Sequence, residues 1–220
     1  MSGRDDTANA PRDVRRRALW AMAALPVGLA AAGAASKGPP RPVVGGDMAA
    51  RLDRLESMEA VAAILFDYAR ANDRLDEALL RSCFWPESRH KHGGFDGASR
   101  DFIDFAVKIL RTVKYTAHHI SNVAVEVKGD QAFSECYYFA HHRRDAKTGG
   151  GEEDAFFEGR YIDRLERRDG VWRIIQRRGL SDYSIVEPAR APMASWPAGQ
   201  HSERFPDDDY YAMRRAFEAS

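Results

Sequence analysis

The chain has 220 residues, of which 44% are hydrophobic, and its 33 basic and 33 acidic residues give a formal net charge of zero. This length and composition favour one well-buried core rather than two. A neutral chain has no overall field with which to attract polyanions, so nucleic acid is not an expected partner.

Residues 1–36 are typical of an export signal. Arg15-Arg16-Arg17 precedes an uncharged, alanine-rich run, and the small residues Ala32-Gly33-Ala34 offer a cleavage pattern. The segment Arg16-Arg17-Ala18-Leu19-Trp20 is similar to the core of a twin-arginine signal. We therefore expect a periplasmic or otherwise exported protein. An uncleaved membrane anchor and a cytoplasmic protein that starts at Met48 are the alternatives. Residues 37–47, rich in proline and glycine, predict a flexible linker.

Three helices are predicted in the next segment. Apolar residues recur at helical spacing from Leu52 to Ala69, and this first helix should end near Asn72-Asp73. A short second helix is predicted from Glu77 to Phe84. A third should begin after Gly97, with Ser99 as its N-cap. The apolar residues expected to face inward from these helices are Leu52, Leu55, Ala62, Leu65, Ala69, Phe102, Phe105, Ile109 and Val113.

The following segment predicts β-strands at residues 116–127, 131–144, 156–166 and 171–182, joined by glycine-containing turns and one longer loop. Helices followed by long antiparallel strands indicate an α+β domain over residues 48–187. Residues 188–220 combine four prolines with several aromatic residues. We expect this tail to be irregular and to pack on the domain or on a neighbouring subunit.

Four segments carry a resemblance to a known family. They are Ile64-Leu65-Phe66-Asp67-Tyr68, Phe84-Trp85-Pro86-Glu87, Thr116-Ala117-His118-His119-Ile120-Ser121-Asn122 and Leu165-Glu166-Arg167-Arg168-Asp169-Gly170-Val171-Trp172-Arg173-Ile174. In this order they resemble the SnoaL-like branch of the nuclear transport factor 2 superfamily. The resemblance implies a cone-shaped α+β barrel, with three N-terminal helices packed on a curved antiparallel sheet.

Within that branch, the chain most resembles the group containing bile acid 7α-dehydratase, hexachlorocyclohexane dehydrochlorinase and scytalone dehydratase. These enzymes eliminate a small leaving group from a cyclic substrate without a cofactor. The resemblance implies Asp73 and His118 as the catalytic dyad, with Arg177 to hold developing charge. Tyr68 stands where the dehydrochlorinase has a lysine, which favours loss of water. The implied function is a cofactor-independent dehydratase of a small hydrophobic cyclic or polycyclic alcohol.

Several residues are expected to line the substrate cavity, because such pockets are mostly apolar with few polar groups. They are His92, Phe84, Trp85, Phe102, Tyr138 and Phe157, with Phe66, Phe95 and Tyr115 as further candidates. The histidine pairs His118-His119 and His141-His142 and the segment His90-Lys91-His92 raise the alternative of a metal site. Adjacent histidines on a strand face opposite ways, so each pair supplies at most one ligand, and no metal or cofactor is expected.

Some points stay open at the level of sequence. The valines of the first long strand share the parity of His119, so His118 faces the cavity only if a β-bulge lies near Ile120-Ser121. Cys83 and Cys136 could form a disulfide or remain two buried thiols.

The functional alternatives are an isomerase or cyclase that uses the same base, or a non-catalytic binding or assembly module. A bare sheet face predicts a homo-oligomer, a trimer or possibly a dimer, and its apolar residues are Phe133, Tyr137 and Phe139.

Overall fold

The computed structural model describes residues 47–195, 197 and 199–220. The predicted export signal and all of the predicted linker except its last residue lie outside this part of the chain. Its α-helices are α1 (Met48–Arg74), α2 (Glu77–Ser82), α3 (Ser99–Leu110) and α4 (Asp209–Glu218). Among the described residues, no helix combines the length and the apolar character needed to span a membrane.

The strands are β1 (Phe84–His92), β2 (Phe95–Ala98), β3 (Tyr115–Lys128), β4 (Gln131–Asp145), β5 (Glu152–Arg168) and β6 (Val171–Pro188). They form a six-stranded sheet in the order β2-β1-β6-β5-β4-β3. All neighbours are antiparallel except β1 and β6, which are parallel. The α+β class is confirmed, but the sheet is mixed. The expectation of a purely antiparallel sheet was wrong because β1, which leaves α2, pairs with the last strand.

The end of the second helix and the start of the third differ from the predicted positions. The second helix ends at Ser82 rather than at Phe84, because backbone pairing with β6 begins there: the Ile174 amide donates to the Cys83 carbonyl at 2.9 Å. Ser99 is the first residue of α3 rather than its N-cap, and its buried hydroxyl has no hydrogen-bond partner within the described residues. Ala98 occupies the N-cap position.

The core lies between the helices and the inner face of the sheet. On β4 the inward residues alternate, as expected for a strand with one buried face. Leu65 of α1 and Ile103 of α3 pack into this core. Four predicted core residues are instead exposed, namely Leu52, Leu55, Phe105 and Ile109. Ile103, Val107 and Leu110 take the core-facing positions of α3, so its neighbouring face is left free to border a cavity.

The C-terminal tail contacts the ends of two helices. The Phe205 amide donates to the Arg74 carbonyl at 2.7 Å. Arg204 donates to the carbonyls of Leu110 and Val113, at 3.1 and 2.5 Å. The tail is not irregular throughout, because α4 forms a helix whose N-cap, Asp208, accepts from an amide of its first turn. Tyr210, Tyr211 and Phe217 belong to this helix, whereas Phe205 precedes it.

Both cysteines are buried free thiols, which resolves the choice that the sequence left open. Cys83 follows α2, and Cys136 lies on the inner face of β4. Burial raises the pKa of Cys83 to about 12 and that of Cys136 to about 11. The nucleophilic thiolate is therefore scarce at neutral pH.

Candidate active site

A cavity of about 320 Å³ opens between α1, α3 and the inner face of the sheet. Its apolar lining consists of Phe102, Phe105, Ala106, Ile109, Leu110, Ala140 and Phe157. Its polar lining consists of Tyr68, Asn72, His92, His118, Tyr138, His142, Tyr161 and Ser181. Rings and aliphatic groups provide most of the lining surface, and polar atoms from several side chains lie among them, which is the usual form of a small-molecule site.

An imidazole–carboxylate pair stands at the edge of this cavity. Asp73 lies in the last turn of α1, and its Oδ1 is 2.6 Å from His118 Nδ1 on β3. The other carboxylate oxygen accepts from the His118 amide at 2.9 Å. The two side chains are only 11% and 10% exposed. Because the carboxylate accepts from Nδ1, it favours the tautomer whose Nε2 is free to take a proton.

A bulge in β3 determines which histidine faces inward. Pairing with β4 is regular from Tyr115 to Ser121, shifts, and resumes at Ala124. Asn122, inside the shift, has φ of +50°. Before the shift the inner face carries His118, whereas His119 is exposed. After the shift, the valines of β3 pack against the core. The irregularity lies just beyond the position that the sequence analysis required.

Tyr68 of α1 is 4% exposed and lines the same cavity. Its ring packs edge-on against Phe84 and Tyr161, with centroids 5.8 and 5.5 Å away. Burial raises the pKa of Tyr68, and the nearby Arg177 cation partly offsets this effect. The phenol is therefore protonated at neutral pH and available as a hydrogen-bond donor.

Arg177 does not line the cavity. It is 1% exposed and forms a bidentate ion pair with Asp163, with N–O distances of 2.8 and 2.7 Å. Its guanidinium carbon lies 4.0 Å from the centroid of the Tyr68 ring and 4.5 Å from that of Tyr161. The expectation that Arg177 holds developing charge directly was wrong, since its carboxylate partner and the aromatic rings surround it. The sequence analysis missed Asp163, which lies opposite Arg177 only because the pairing of β5 with β6 shifts by one residue between Arg164 and Leu165.

Four of the six predicted cavity residues border the cavity: His92, Phe102, Tyr138 and Phe157. The other two do not. Phe84 is 4% exposed and belongs to the core, because its position at the start of β1 places it against Tyr68. Trp85 points to the other side of β1, where its indole donates to the Glu166 carbonyl at 3.1 Å. Strand alternation separates these neighbours.

The sequence analysis missed several cavity residues. Asn72 donates to the Tyr68 carbonyl at 2.8 Å, and the His142 ring lies 5.4 Å from the His118 ring. Alternation along β4 could have identified His142, since it shares the inward face with Tyr138. In the described part of the chain, no group of three or more His, Cys, Asp or Glu side chains is arranged to hold a metal ion.

A second cavity, of about 330 Å³, lies behind the dyad. Asp73, Arg74 and Thr116 border it on the domain side, and Ser202 and Arg204 border it on the side of the tail. The Thr116 hydroxyl is 3.5 Å from Asp73 Oδ1. Residues of the tail therefore form part of a cavity that Asp73 also borders.

Comparisons with known proteins agree with this architecture. A family model for the SnoaL-like domain matches residues 53–178. A candidate scytalone dehydratase from Novosphingobium aromaticivorans has 23% identity and a TM-score of 0.54, over 67% of this chain and 97% of that one. A hexachlorocyclohexane dehydrochlorinase, LinA type 2, has 23% identity and a TM-score of 0.56, over 68% of this chain and 99% of that one. The type 3 dehydrochlorinase from Novosphingobium barchaimii has 21% identity and a TM-score of 0.53, over 64% of this chain and 95% of that one.

These structures share the cone-shaped α+β fold with this chain, and at such identities they show the fold alone. No curated protein sequence is significantly similar to the chain. The family model covers more than half of the residues and includes both members of the dyad. The chain therefore belongs to the SnoaL-like domain family.

Proposed function

We propose that this protein is a cofactor-independent lyase that removes water from a small hydrophobic cyclic or polycyclic alcohol. The observation that carries the proposal is the 2.6 Å contact between His118 Nδ1 and Asp73 Oδ1 at the edge of a largely apolar cavity. A neutral imidazole held by a carboxylate is a competent base near neutral pH. The dehydratase and dehydrochlorinase names of the structural relatives support elimination chemistry.

In the proposed reaction, His118 Nε2 accepts a proton from a carbon next to the one that bears the leaving hydroxyl. The C–H electron pair forms the new C=C bond, and the C–O bond breaks. Asp73 stabilises the imidazolium that forms, as the aspartate does in a hydrolase triad. Tyr68 donates a proton to the departing oxygen, so that water leaves. His118 then returns a proton to Tyr68 through solvent before the next turnover.

The buried Arg177–Asp163 pair has a supporting part in this proposal. The Arg177 cation lies over the Tyr68 ring and acts against the rise in its pKa that burial causes. A tyrosine with a lower pKa is a better proton donor to a leaving hydroxyl. Arg177 is therefore assigned as a positioning and tuning residue, since it does not touch the cavity.

The test is a screen of the full-length protein against neutral cyclic alcohols that carry an acidic C–H bond next to the hydroxylated carbon. Formation of the alkene is followed by absorbance and mass spectrometry. For a substrate found in this way, His118→Ala should abolish turnover, and Asp73→Asn should lower kcat by several orders of magnitude. The double variant should be scarcely worse than His118→Ala, because the two residues act as one unit.

The matched control is His119→Ala, which removes the neighbouring but exposed imidazole and should retain activity. Full activity in a correctly folded His118→Ala variant would refute the proposed base. A protein that binds cyclic alcohols tightly and never turns them over would instead favour the non-catalytic binding module. An isomerase or cyclase would be recognised by a product that retains its oxygen atoms.

A further inference from the structure

Two imidazoles in the cavity have no role in the elimination step. His92 at the end of β1 and His142 of β4 both line the cavity, and neither ring forms a hydrogen bond within the described part of the chain. The His92 ring lies 6.2 Å from the Tyr138 ring and packs against the backbone at Gly179. The His142 ring lies 5.6 Å from that of Phe157. A polar group in an apolar wall without a partner is costly unless a ligand satisfies it.

Both imidazoles are neutral. Burial lowers the pKa of His92 to about 4, and the nearby Arg177 and Arg178 cations act in the same direction. Burial lowers the pKa of His142 to about 3, and the nearby Arg144 cation adds to the effect. A neutral imidazole has one donor and one acceptor nitrogen. It therefore suits a hydroxyl or keto oxygen and offers no charge to a carboxylate.

Among the described residues, no lysine or arginine side chain lines this cavity. Arg177, the nearest buried guanidinium, is bound on two of its nitrogens by Asp163 and lies outside the lining. The charged group next to the proposed base, His118, is the Asp73 carboxylate. An anionic ligand would lose its hydration here and face a negative charge as well.

We propose that the cavity selects uncharged ring compounds that carry at least two oxygen substituents besides the leaving hydroxyl, read by His92 and His142, and that it rejects carboxylates. This inference rests on the proposed function for the identity of the site, but it concerns binding and needs no turnover. The aromatic residues around the two imidazoles, Phe102, Phe157 and the stacked pair Tyr138–Tyr161, provide the faces against which the rings of such a compound pack.

The test uses isothermal titration calorimetry on the full-length protein near neutral pH. Three probes share one ring system: a set of naphthalenediol isomers, unsubstituted naphthalene, and naphthalene carboxylate. At least one diol should bind about 5–150-fold more tightly than naphthalene, because its hydroxyl groups give the buried imidazoles hydrogen-bond partners that naphthalene cannot provide. The carboxylate should bind more weakly than naphthalene. A carboxylate that binds as tightly as the best diol would overturn the proposal.

Two variants assign the effect to the named residues. His92→Leu and His142→Leu should each reduce the preference for the diol over naphthalene while retaining the binding of naphthalene itself. His119→Leu, on the opposite face of β3, is the matched control and should leave the preference intact. An unchanged preference in both cavity variants would contradict the assignment.

A measurement on the unaltered protein covers the case in which a variant fails to fold. The imidazole resonances of His92 and His142 should shift when the best diol is added, and those of His119 should not. Shifts confined to His119 would overturn the proposal. His118→Ala should still bind the diol, because the proposed selectivity does not depend on the base. If the protein shows this selectivity but turns over no cyclic alcohol, the proposed dehydratase function fails and the proposed selectivity stands.

Discussion

The buried ion pair between Arg177 and Asp163 allows a prediction that needs no substrate. Both side chains have zero exposure, and the pair is held by two short hydrogen bonds across β5 and β6. The pKa of Arg177 is raised: burial by itself lowers it, and the Asp163 carboxylate more than reverses the effect. Removal of either partner would leave an uncompensated charge beneath Tyr68 and Tyr161.

The perturbations are Arg177→Met, Asp163→Leu and the double variant. Each single change should lower the free energy of unfolding by about 3–5 kcal/mol, the usual cost of breaking a fully buried pair. For a chain of this size the loss corresponds to a fall in Tm of about 6–20 °C. The double variant should be far less destabilised than the sum of the two, because no buried charge is left without a partner.

The assay is urea denaturation of the full-length protein, followed by tryptophan fluorescence and far-ultraviolet circular dichroism. The control is Asp96→Asn, which breaks a pair with Arg89 whose side chains are more than half exposed. Its denaturation midpoint should stay close to that of the unaltered protein, because solvent screens exposed pairs. Single variants that are as stable as the control, or additive losses in the double variant, would refute the reasoning.

Four further predictions follow from the structure. Folded His92 and His142 have pKa values of about 4 and 3, against 6.5 for an ordinary imidazole, so the unfolded chain binds more protons between these values. The free energy of unfolding should therefore be highest above pH ~6.5 and should fall as the pH is lowered towards ~4. Denaturation at a series of pH values measures this fall, which should be less steep in the His142→Phe variant. Cys83 and Cys136 should not react with a thiol reagent in the native protein and should react fully in denaturant, because both thiols are buried; rapid labelling of the native state would contradict this assignment. Arg204→Gln should increase hydrogen exchange at the Phe205 amide, which donates to Arg74, and unchanged protection would show that Arg204 does not hold the tail. The exposed face of β4 should mediate self-association, so Tyr137→Lys together with Phe139→Glu should lower the mass measured by sedimentation; a folded monomer before substitution would exclude this interface.

Features that depend on neighbouring residues could be predicted from the sequence. The hairpins at Gly129 and Gly170 follow from turn residues between alternating strands, and both glycines have positive φ. The first long helix follows from helical spacing, and its end near Asp73 was predicted within two residues. The contact between Asp73 and His118 could be expected only through the resemblance to a family, since 44 residues separate the two along the chain.

Other features depend on which distant segments pack together, and only the tertiary structure decided them. Because β1 pairs in parallel with β6, the second helix is shorter than predicted and the Trp85 indole binds the Glu166 carbonyl instead of lining the cavity. The bulge at Asn122 reversed the parity of β3, so that His118 faces inward although the later valines suggest His119. Arg177 is buried because Asp163 lies opposite it in the neighbouring strand. Local sequence determines the conformation of a segment, whereas burial and charge pairing are set by contacts between segments that are distant along the chain.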